Sequence, residues 1–413
     1  MTSPGGVLEN HTLLVRDGRI LDVLPRSEAA QRYAAPVNVE RSAHLVLPGL
    51  VNAYTKIAPA PGRAIRPERL HDAAQLRIAE MLAAGTTCFC GVGFFPEEAA
   101  RTAAEQGMRA LIGIPIAESA SPWANNPGEY LTRALSFRDE YGGHPTISTA
   151  FAPQSPSTIA DATFRRIATL ADELDAGILI ALHESRAAVE ESVTRHGARP
   201  IERMHALGLL TPALTAVQMV QVTTADIALA QRTGVAITLC PEADFLTGNG
   251  PPPVASWAAT GLRLGVGNGA TEPAGGLDLW SALRLLALLS RAPGAEGAGL
   301  SAWDALAAAT RGGAAVLGLD AEIGTLEKGK WADLCCVDLH SPAMQWDSQG
   351  PAHDPVTQLA FNGGRDIVSD VWVSGRQLLK GGAFTRLDWP GLAARLSSWR
   401  DAIGIGGTCE YYG

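Results

Sequence analysis

The chain has 413 residues, of which 46% are hydrophobic and 18% charged, and its formal net charge is −9 with a sequence pI near 5.5. This composition supports a large buried core and argues against disorder. The acidic excess argues against nucleic acid or an anionic membrane as a partner. The sequence contains neither an apolar stretch of transmembrane length nor a recognisable signal peptide at its N-terminus, so we expect a cytoplasmic protein.

Short strands are predicted at the beginning of the chain. Residues 12–15 and 20–23 flank Asp17-Gly18, a pair typical of the tight turn in a β-hairpin. A further strand at 44–47 runs into Pro48-Gly49, which should end it. The N-terminal segment therefore predicts a small β-structure.

The middle of the chain alternates between apolar strands and amphipathic helices. Helices are predicted at 68–84, 97–106, 160–174, 225–233, 277–289 and 302–317. Strands are predicted at 86–89, 109–114, 177–182, 215–220, 235–239 and 262–266. This alternation indicates a parallel sheet covered on both faces. Over this length it favours a closed (β/α)8 barrel, a TIM barrel, over an open sheet.

The tail returns to strands, at 331–339 and 367–373, and then predicts a helix at 390–403. Strands at both ends of a barrel indicate one small β-domain built from both chain ends. The predicted organisation is a β-sandwich from 1–47 and 323–385, a barrel over 48–322, and a C-terminal helix and tail over 386–413.

Several motifs together resemble the amidohydrolase superfamily, in its methylthioadenosine/S-adenosylhomocysteine deaminase branch. They are LPGLVNA at 47–53, HES at 183–185, RPIE at 199–202, GLL at 208–210, CPE at 240–242, IGTLEKGKWADL at 323–334 and DVWVSGR at 370–376. The resemblance covers nearly the whole chain. It implies an amidohydrolase barrel, a purine nucleoside-like ligand, a zinc, iron or manganese ion that activates water, and a homodimer or a pair with a paralogue.

The positions that this resemblance assigns to metal ligands hold other residues. Two histidines after the first barrel strand are replaced by Tyr54 and Lys56, a third by Ala181 and a fourth by Gln218, and the aspartate by Asn268. A protonated lysine offers only donors and repels a cation. None of the nine histidines stands two or four residues from another. We therefore predict that the metal site is lost and that no metal cofactor is bound.

Other residues at the predicted mouth of the barrel could still contribute to a site. The proton-shuttling position keeps Glu184, and a substrate-facing position holds Gln154. His183 is expected either in the pocket wall or just behind it, where it would support the residues that line the pocket, and not as a metal ligand. Cys240 is either a packing residue or a reactive thiol, the latter only with a lowered pKa. The six cysteines, without a CxxC pair, are expected to be reduced.

The interactions in the vacated metal site are also predicted. Lys56 is either a Schiff-base nucleophile or an ammonium that pairs with Glu184, and Glu184 is either a general acid/base or that ion-pair partner. Neutral Tyr54, Gln218 and Asn268 should hydrogen-bond one another. The short loop at 57–64 should leave the mouth open to water.

Three functions remain open at this stage. The first is a catalytically degenerate deaminase homologue, a pseudoenzyme that acts as a binding or partner subunit. The second is an enzyme with a rebuilt, metal-independent site at Lys56 and Glu184 that acts on C–N bonds of a purine-like or amide substrate. The third is an ordinary metal-dependent C–N hydrolase with unorthodox ligands, which the donor set disfavours.

Overall fold

The computed structural model describes residues 6–57, 67–269, 276–292, 299–344 and 354–403. The strands of this part of the chain are β1 His11–Arg16, β2 Arg19–Pro25, β3 His44–Pro48, β4 Leu50–Lys56, β5 Thr86–Val92, β6 Arg109–Ile116, β7 Ile147–Pro153, β8 Gly177–Leu182, β9 Leu214–Gln218, β10 Ala236–Leu239, β11 Leu264–Val266, β12 Leu334–Asp338, β13 Val368–Val373, β14 Arg376–Lys380 and β15 Ala383–Phe384.

The α-helices of the same ranges are α1 Arg26–Arg32, α2 Pro67–Ala83, α3 Pro96–Gln106, α4 Pro127–Glu140, α5 Asp161–Glu173, α6 Arg186–His196, α7 Pro200–Ala206, α8 Thr224–Thr233, α9 Pro241–Leu246, α10 Val254–Ala258, α11 Leu279–Leu289, α12 Ala302–Ala308, α13 Arg311–Val316, α14 Pro355–Asn362 and α15 Trp389–Ile403. No helix of these ranges is long and apolar enough to cross a bilayer.

The central body is a barrel of parallel strands. Within the described ranges, β4 to β11 form an eight-stranded sheet in chain order, each strand parallel to the next. The circle is completed by a parallel bridge between Thr55 and Gly269, where the Gly269 N–H donates to the Tyr54 carbonyl over 2.9 Å. This arrangement confirms the predicted (β/α)8 barrel.

The interior of the barrel and the layer between strands and helices are separate cores. Val51, Cys88, Leu111 and Leu179 pack with other residues inside the barrel. Alternate residues of the same strands, such as Ile112, pack outward against the helices. The alternation follows from the pleat of each strand and determines which residues at the strand ends turn inward.

The small β-domain draws on both ends of the chain. β3 pairs with β12, and β12 to β15 follow in antiparallel order, while β1 and β2 form a separate hairpin. Ile20 of the hairpin is buried with Leu334 of the larger sheet, and Trp372 packs against them. The predicted assembly of both chain ends into one β-structure is confirmed. The domain boundaries at 47, 323 and 385 stay predictions.

A buried ion pair joins the β-domain to the barrel. The Arg109 guanidinium at the start of β6 donates to both carboxylate oxygens of Asp333, at 2.7 and 3.2 Å. Asp333 also accepts from the Ser374 N–H, over 2.7 Å. The side chains of Arg109 and Asp333 are only 7% and 2% exposed, so each charge depends on the other.

The single helix predicted at 302–317 is wrong, because the chain breaks into α12 and α13. Thr310 leaves helical geometry, with φ −128° and ψ −97°. The break lets the Ala309 carbonyl accept a hydrogen bond from the Val51 N–H of β4, over 2.8 Å. The apolar periodicity continues through the break, which is why the sequence gives no sign of this barrel contact.

Candidate functional site

The predicted site residues lie at the carboxyl ends of the barrel strands, where barrels of this type carry their sites. Tyr54 and Lys56 end β4, Glu184 follows β8, and Gln218 ends β9. A further carboxylate, Asp244, stands on α9, the short helix that begins after β10. The fold therefore places groups from several strand ends around one mouth.

The phenol of Tyr54 faces the barrel interior. It packs against the interior core, and Cys240, Cys90 and Glu184 act on it electrostatically. Burial, reinforced by these neighbours, raises the pKa of Tyr54 far above its usual range, so the phenol stays protonated. Gly267 makes the close approach of β4 feasible, since a Cβ there would lie 2.6 Å from the Tyr54 carbonyl oxygen.

Asn268 forms hydrogen bonds with β4 that help to close the barrel. Its Oδ1 accepts from Asn52 Nδ2 over 2.8 Å, its backbone N–H donates to Asn52 Oδ1 over 3.1 Å, and its Nδ2 donates to the Asp278 carbonyl over 3.3 Å. Its side chain also lies near Glu242, where it opposes the rise in the pKa of that carboxyl caused by burial. The predicted hydrogen bonds among Tyr54, Gln218 and Asn268 are therefore wrong: the Asn268 oxygen is occupied by a neighbour on β4.

Gln218 instead supports a buried carboxylate. Gln218 Nε2 donates to Asp244 Oδ1 over 2.9 Å. Asp244 has no exposed surface, and its Oδ2 has no hydrogen-bond partner. Burial raises the pKa of Asp244 to about 7 against the opposing effect of the Gln218 hydrogen bond, and the charge of Glu184 raises it further. Burial also raises the pKa of Glu184.

Lys56 and Glu184 do not pair, so that prediction is wrong. Within the chain segments that the structure describes, no ion pair joins the two side chains, and burial is the sole cause acting on the pKa of Glu184. The two residues lie at the ends of β4 and β8, four strands apart in the ring of eight, and the residue of β4 on which Glu184 acts electrostatically is Tyr54. Lys56 does have an interaction of its own.

His183 belongs to the scaffold behind the mouth, the second of the two places expected for it. The ring is fully buried, its Nε2 accepts from the Ile201 N–H over 3.1 Å, and its Nδ1 lies 3.1 Å from the Gln221 carbonyl. Burial lowers the pKa of His183 to about 4, so the ring is neutral and Nδ1 carries the proton. His183 therefore ties β8 to the segment before α8.

Cys240 and Gln154 contribute less to the mouth than predicted. Cys240 is fully buried at the end of β10, and burial, with Asp244 and Cys90, raises the pKa of its thiol well above the usual range. This environment opposes a reactive thiolate. Gln154 is exposed after β7, where its backbone N–H donates to the Ile116 carbonyl over 2.9 Å.

The remaining sequence predictions concern cysteines and one loop. The described cysteines, Cys88, Cys90, Cys240, Cys335 and Cys336, are buried and free, as predicted for reduced thiols. Cys409 lies outside the described residues. So does the predicted short loop at 57–64, apart from Ile57.

The donor set at the mouth does not fit a catalytic divalent metal. Tyr54 is a neutral phenol, Lys56 is an amine, Ala181 has no donor atom, and the amide oxygen of Asn268 is already bonded to Asn52. In the ranges given above, no three His, Cys, Asp or Glu side chains cluster in a way that could hold a metal ion. Zinc and iron sites need imidazole, thiolate or carboxylate ligands in such a cluster.

A separate cavity opens at the opposite end of the barrel. Its volume is about 1040 Å³, and Leu111, Ala150, Leu179 and Thr215 line it at the starts of β6 to β9. Arg263 closes one side, with its guanidinium bonded to the backbone carbonyls of residues 212, 234 and 315. The cavity is therefore remote from the groups assembled at the mouth, and its arginine is already satisfied.

Sequence reasoning missed Asp244 and Asn52. Asp244 follows Cys240 by four residues on a six-residue helix, so its carboxylate turns back toward the strand end. The only feature of the sequence that could have pointed to Asp244 is an acidic residue a few positions after an apolar strand. Asn52 was quoted within a motif but given no role.

Comparison with known proteins identifies the class. The model of the amidohydrolase family matches residues 45–378, and the chain belongs to that family. A 5-methylthioadenosine/S-adenosylhomocysteine deaminase from Teredinibacter turnerae is 34% identical over 95% of this chain and 93% of its own length. A protein of the same name from Saccharophagus degradans is 31% identical, over 97% of this chain and 93% of its own.

Comparison with solved structures leads to the same class of proteins. A zinc-bound adenosine deaminase from Xanthomonas campestris superposes with a TM-score of 0.91 at 36% identity, over 96% of this chain and 94% of that one. The zinc-bound atrazine chlorohydrolase from Arthrobacter aurescens has a TM-score of 0.84 at 20% identity, over 95% of each chain, and supports the fold alone. The chain is thus similar to deaminases along nearly its whole length.

Proposed function

We propose that this chain is a catalytically degenerate member of the amidohydrolase family that binds a purine nucleoside-like molecule at the barrel mouth without metal-dependent hydrolysis. One observation carries the proposal: the Asn268 oxygen, at the position of an expected metal ligand, is bonded to Asn52 in the barrel closure. Water held between protein groups without a metal has a much higher pKa than metal-bound water. The residues at the mouth therefore favour binding over hydrolysis.

The ligand class comes from the relatives. Their names describe proteins that act on 5-methylthioadenosine, S-adenosylhomocysteine or adenosine. The mouth of this chain offers the Tyr54 phenol and the carboxylates of Glu184 and Asp244. A nucleoside presents donors and acceptors on its base and sugar that could meet such groups.

The paired use of Lys56 and Glu184 in a rebuilt hydrolase receives no support from the geometry. Within the described residues, no ion pair or hydrogen bond joins the two side chains. A general base must reach the proton it removes within hydrogen-bond distance, directly or through one water. We therefore do not extend the proposal to a metal-independent hydrolase.

The proposal includes a cytoplasmic location and association, either with a second copy of the chain or with an active paralogue. Light scattering on the purified chain, and co-purification with a tagged paralogue, test the association. A strict monomer in the first experiment and no retained paralogue in the second would contradict it.

Calorimetric titration with adenosine and 5-methylthioadenosine, beside an assay for ammonia release with and without added zinc, tests the central proposal. Binding without ammonia release is expected. Tyr54→Phe should weaken binding, whereas Tyr33→Phe, on the β-domain, should leave it unchanged and serves as the matched control. Zinc-dependent ammonia release would overturn the degenerate assignment, and lack of any nucleoside binding would overturn the ligand.

A further inference from the structure

Two carboxylates at the mouth form no ion pair with any cation of the described residues. Glu184 accepts no hydrogen bond and forms no ion pair within the described residues. Asp244 is held by the neutral amide of Gln218 and by no cation of those ranges. The two side chains are close enough to act on each other electrostatically. Among the described residues, these two carboxylates at the mouth are therefore not paired with a cation.

Asp244 Oδ2 is a buried oxygen that lacks a hydrogen-bond donor within the described residues. The side chain is fully buried, Oδ1 is occupied by Gln218, and Oδ2 has no donor. A buried acceptor without a donor is costly, and more so when it carries charge. Asp244 is also close enough to Glu184 for the two carboxylates to act on each other electrostatically.

A second unpartnered polar group lies deeper in the barrel. Thr238 of β10 is fully buried, and its Oγ1 has no hydrogen-bond partner. Ala236 and Cys240, two residues before and after it, both pack in the interior core, so the pleat turns Thr238 inward as well. The interior below the mouth therefore also holds a hydroxyl that could still donate or accept.

We propose that Asp244 and Glu184 bind a positively charged nitrogen of the ligand, such as an ammonium, an amidinium or the cationic ring of an alkylated purine. The inference rests on the proposed function only in taking the ligand to be nucleoside-like. A cationic N–H group supplies the donor that Asp244 Oδ2 lacks and balances the Glu184 charge. A neutral base would supply a donor without balancing the charge.

Matched nucleosides test this charge preference. 1-Methyladenosine carries a positive charge on its base at neutral pH, whereas adenosine is neutral. Isothermal titration of the full chain should show 1-methyladenosine binding about tenfold to a hundredfold more tightly than adenosine, the range of a charge-assisted hydrogen bond. Benzamidine, a cation without a nucleoside, and Mg²⁺ and Zn²⁺ alone are titrated beside them.

Neutral isosteric variants assign the preference to these residues. In Asp244→Asn, the tenfold or greater preference for 1-methyladenosine over adenosine should disappear, so that the two nucleosides bind with nearly equal affinity. Glu184→Gln should also reduce this preference. Glu184 is partly exposed, so its variant remains informative if Asp244→Asn does not fold. Glu40→Gln, which removes an exposed carboxylate that is paired with Arg26 on the β-domain, is the matched control and should change nothing.

The outcomes separate this inference from the proposed function. Equal affinity for the two nucleosides would overturn the cation preference and leave nucleoside binding intact. Benzamidine binding that depends on Asp244, without nucleoside binding, would support the cation site and overturn the nucleoside. Metal binding that is lost in Asp244→Asn would overturn the inference in favour of a metal site. No binding of any probe would overturn both.

Discussion

Replacing Asp244 by Asn should make the stability of the fold less dependent on pH. The pKa of the buried carboxyl is raised from 3.8 to about 7. Between pH 4 and 7 the folded chain therefore keeps a proton that the unfolded chain has released. Under linkage, this contribution to stability is present at low pH and is lost as the pH rises through that window.

The size of the effect follows from the shift. A difference of about three pKa units corresponds to about 4 kcal/mol, at about 1.4 kcal/mol per unit. In the variant, the buried Asn amide would have no acceptor in place of the unpartnered Oδ2, which costs about 1–3 kcal/mol. Asp244→Asn should therefore be about 1–3 kcal/mol more stable than wild type at pH 8 and lose that advantage at pH 4.

Urea unfolding at pH 4, 6 and 8 measures this difference. His183 has the opposite dependence, because its pKa is lowered to about 4 and its contribution is lost as the pH falls. Both proteins contain His183, so its effect cancels in the comparison. If the free energy of unfolding of wild type and of Asp244→Asn depended on pH in the same way, the reasoning would be refuted. Such a result would mean that folding does not raise the pKa of Asp244.

Two further changes test the scaffold around the site by urea unfolding at pH 7. Asn268→Asp should cost about 2–4 kcal/mol, because it removes the donor to the Asp278 carbonyl and places a new carboxylate beside Glu242. Asp333→Asn should cost about 3–5 kcal/mol, because it leaves the Arg109 guanidinium buried without its counter-charge.

One surface variant serves as the control for both changes, and each change has an outcome that would contradict its prediction. Glu40→Gln breaks an exposed ion pair and should alter stability by less than about 0.5 kcal/mol. An Asn268→Asp variant as stable as wild type would show that neither the hydrogen bond to the Asp278 carbonyl nor the proximity of Glu242 matters to the fold. An Asp333→Asn variant within the range of that surface control would show that the ion pair does not join the two domains.

The fold followed from the sequence because it depends on repeated local patterns. Apolar strands alternating with helices predict the barrel wherever both faces of the sheet are covered, as at Gly177–Leu182. The break at Thr310 could not be predicted. It depends on the Ala309 carbonyl accepting from the Val51 N–H, which lies 258 positions earlier in the chain (309 − 51). Local periodicity carries no information about such a contact.

The site was predictable in its residue types but not in its pairings. The motifs led to Tyr54, Gln218 and Asn268, yet the partners that decide their roles come from other strands. Lys56 and Glu184 have opposite charges and both stand at strand ends of the mouth, yet no ion pair joins them within the described residues. Pairing depends on how the side chains are oriented at the mouth, which spacing along the chain does not give.

Metal content tests the central claim most directly. The chain would be purified without chelator, one sample supplemented with zinc, and both dialysed before elemental analysis. The replaced donors at Tyr54, Lys56, Ala181 and Gln218 predict less than about a tenth of an equivalent of any transition metal in either sample. About one equivalent of zinc, iron or manganese that survives dialysis would contradict the account.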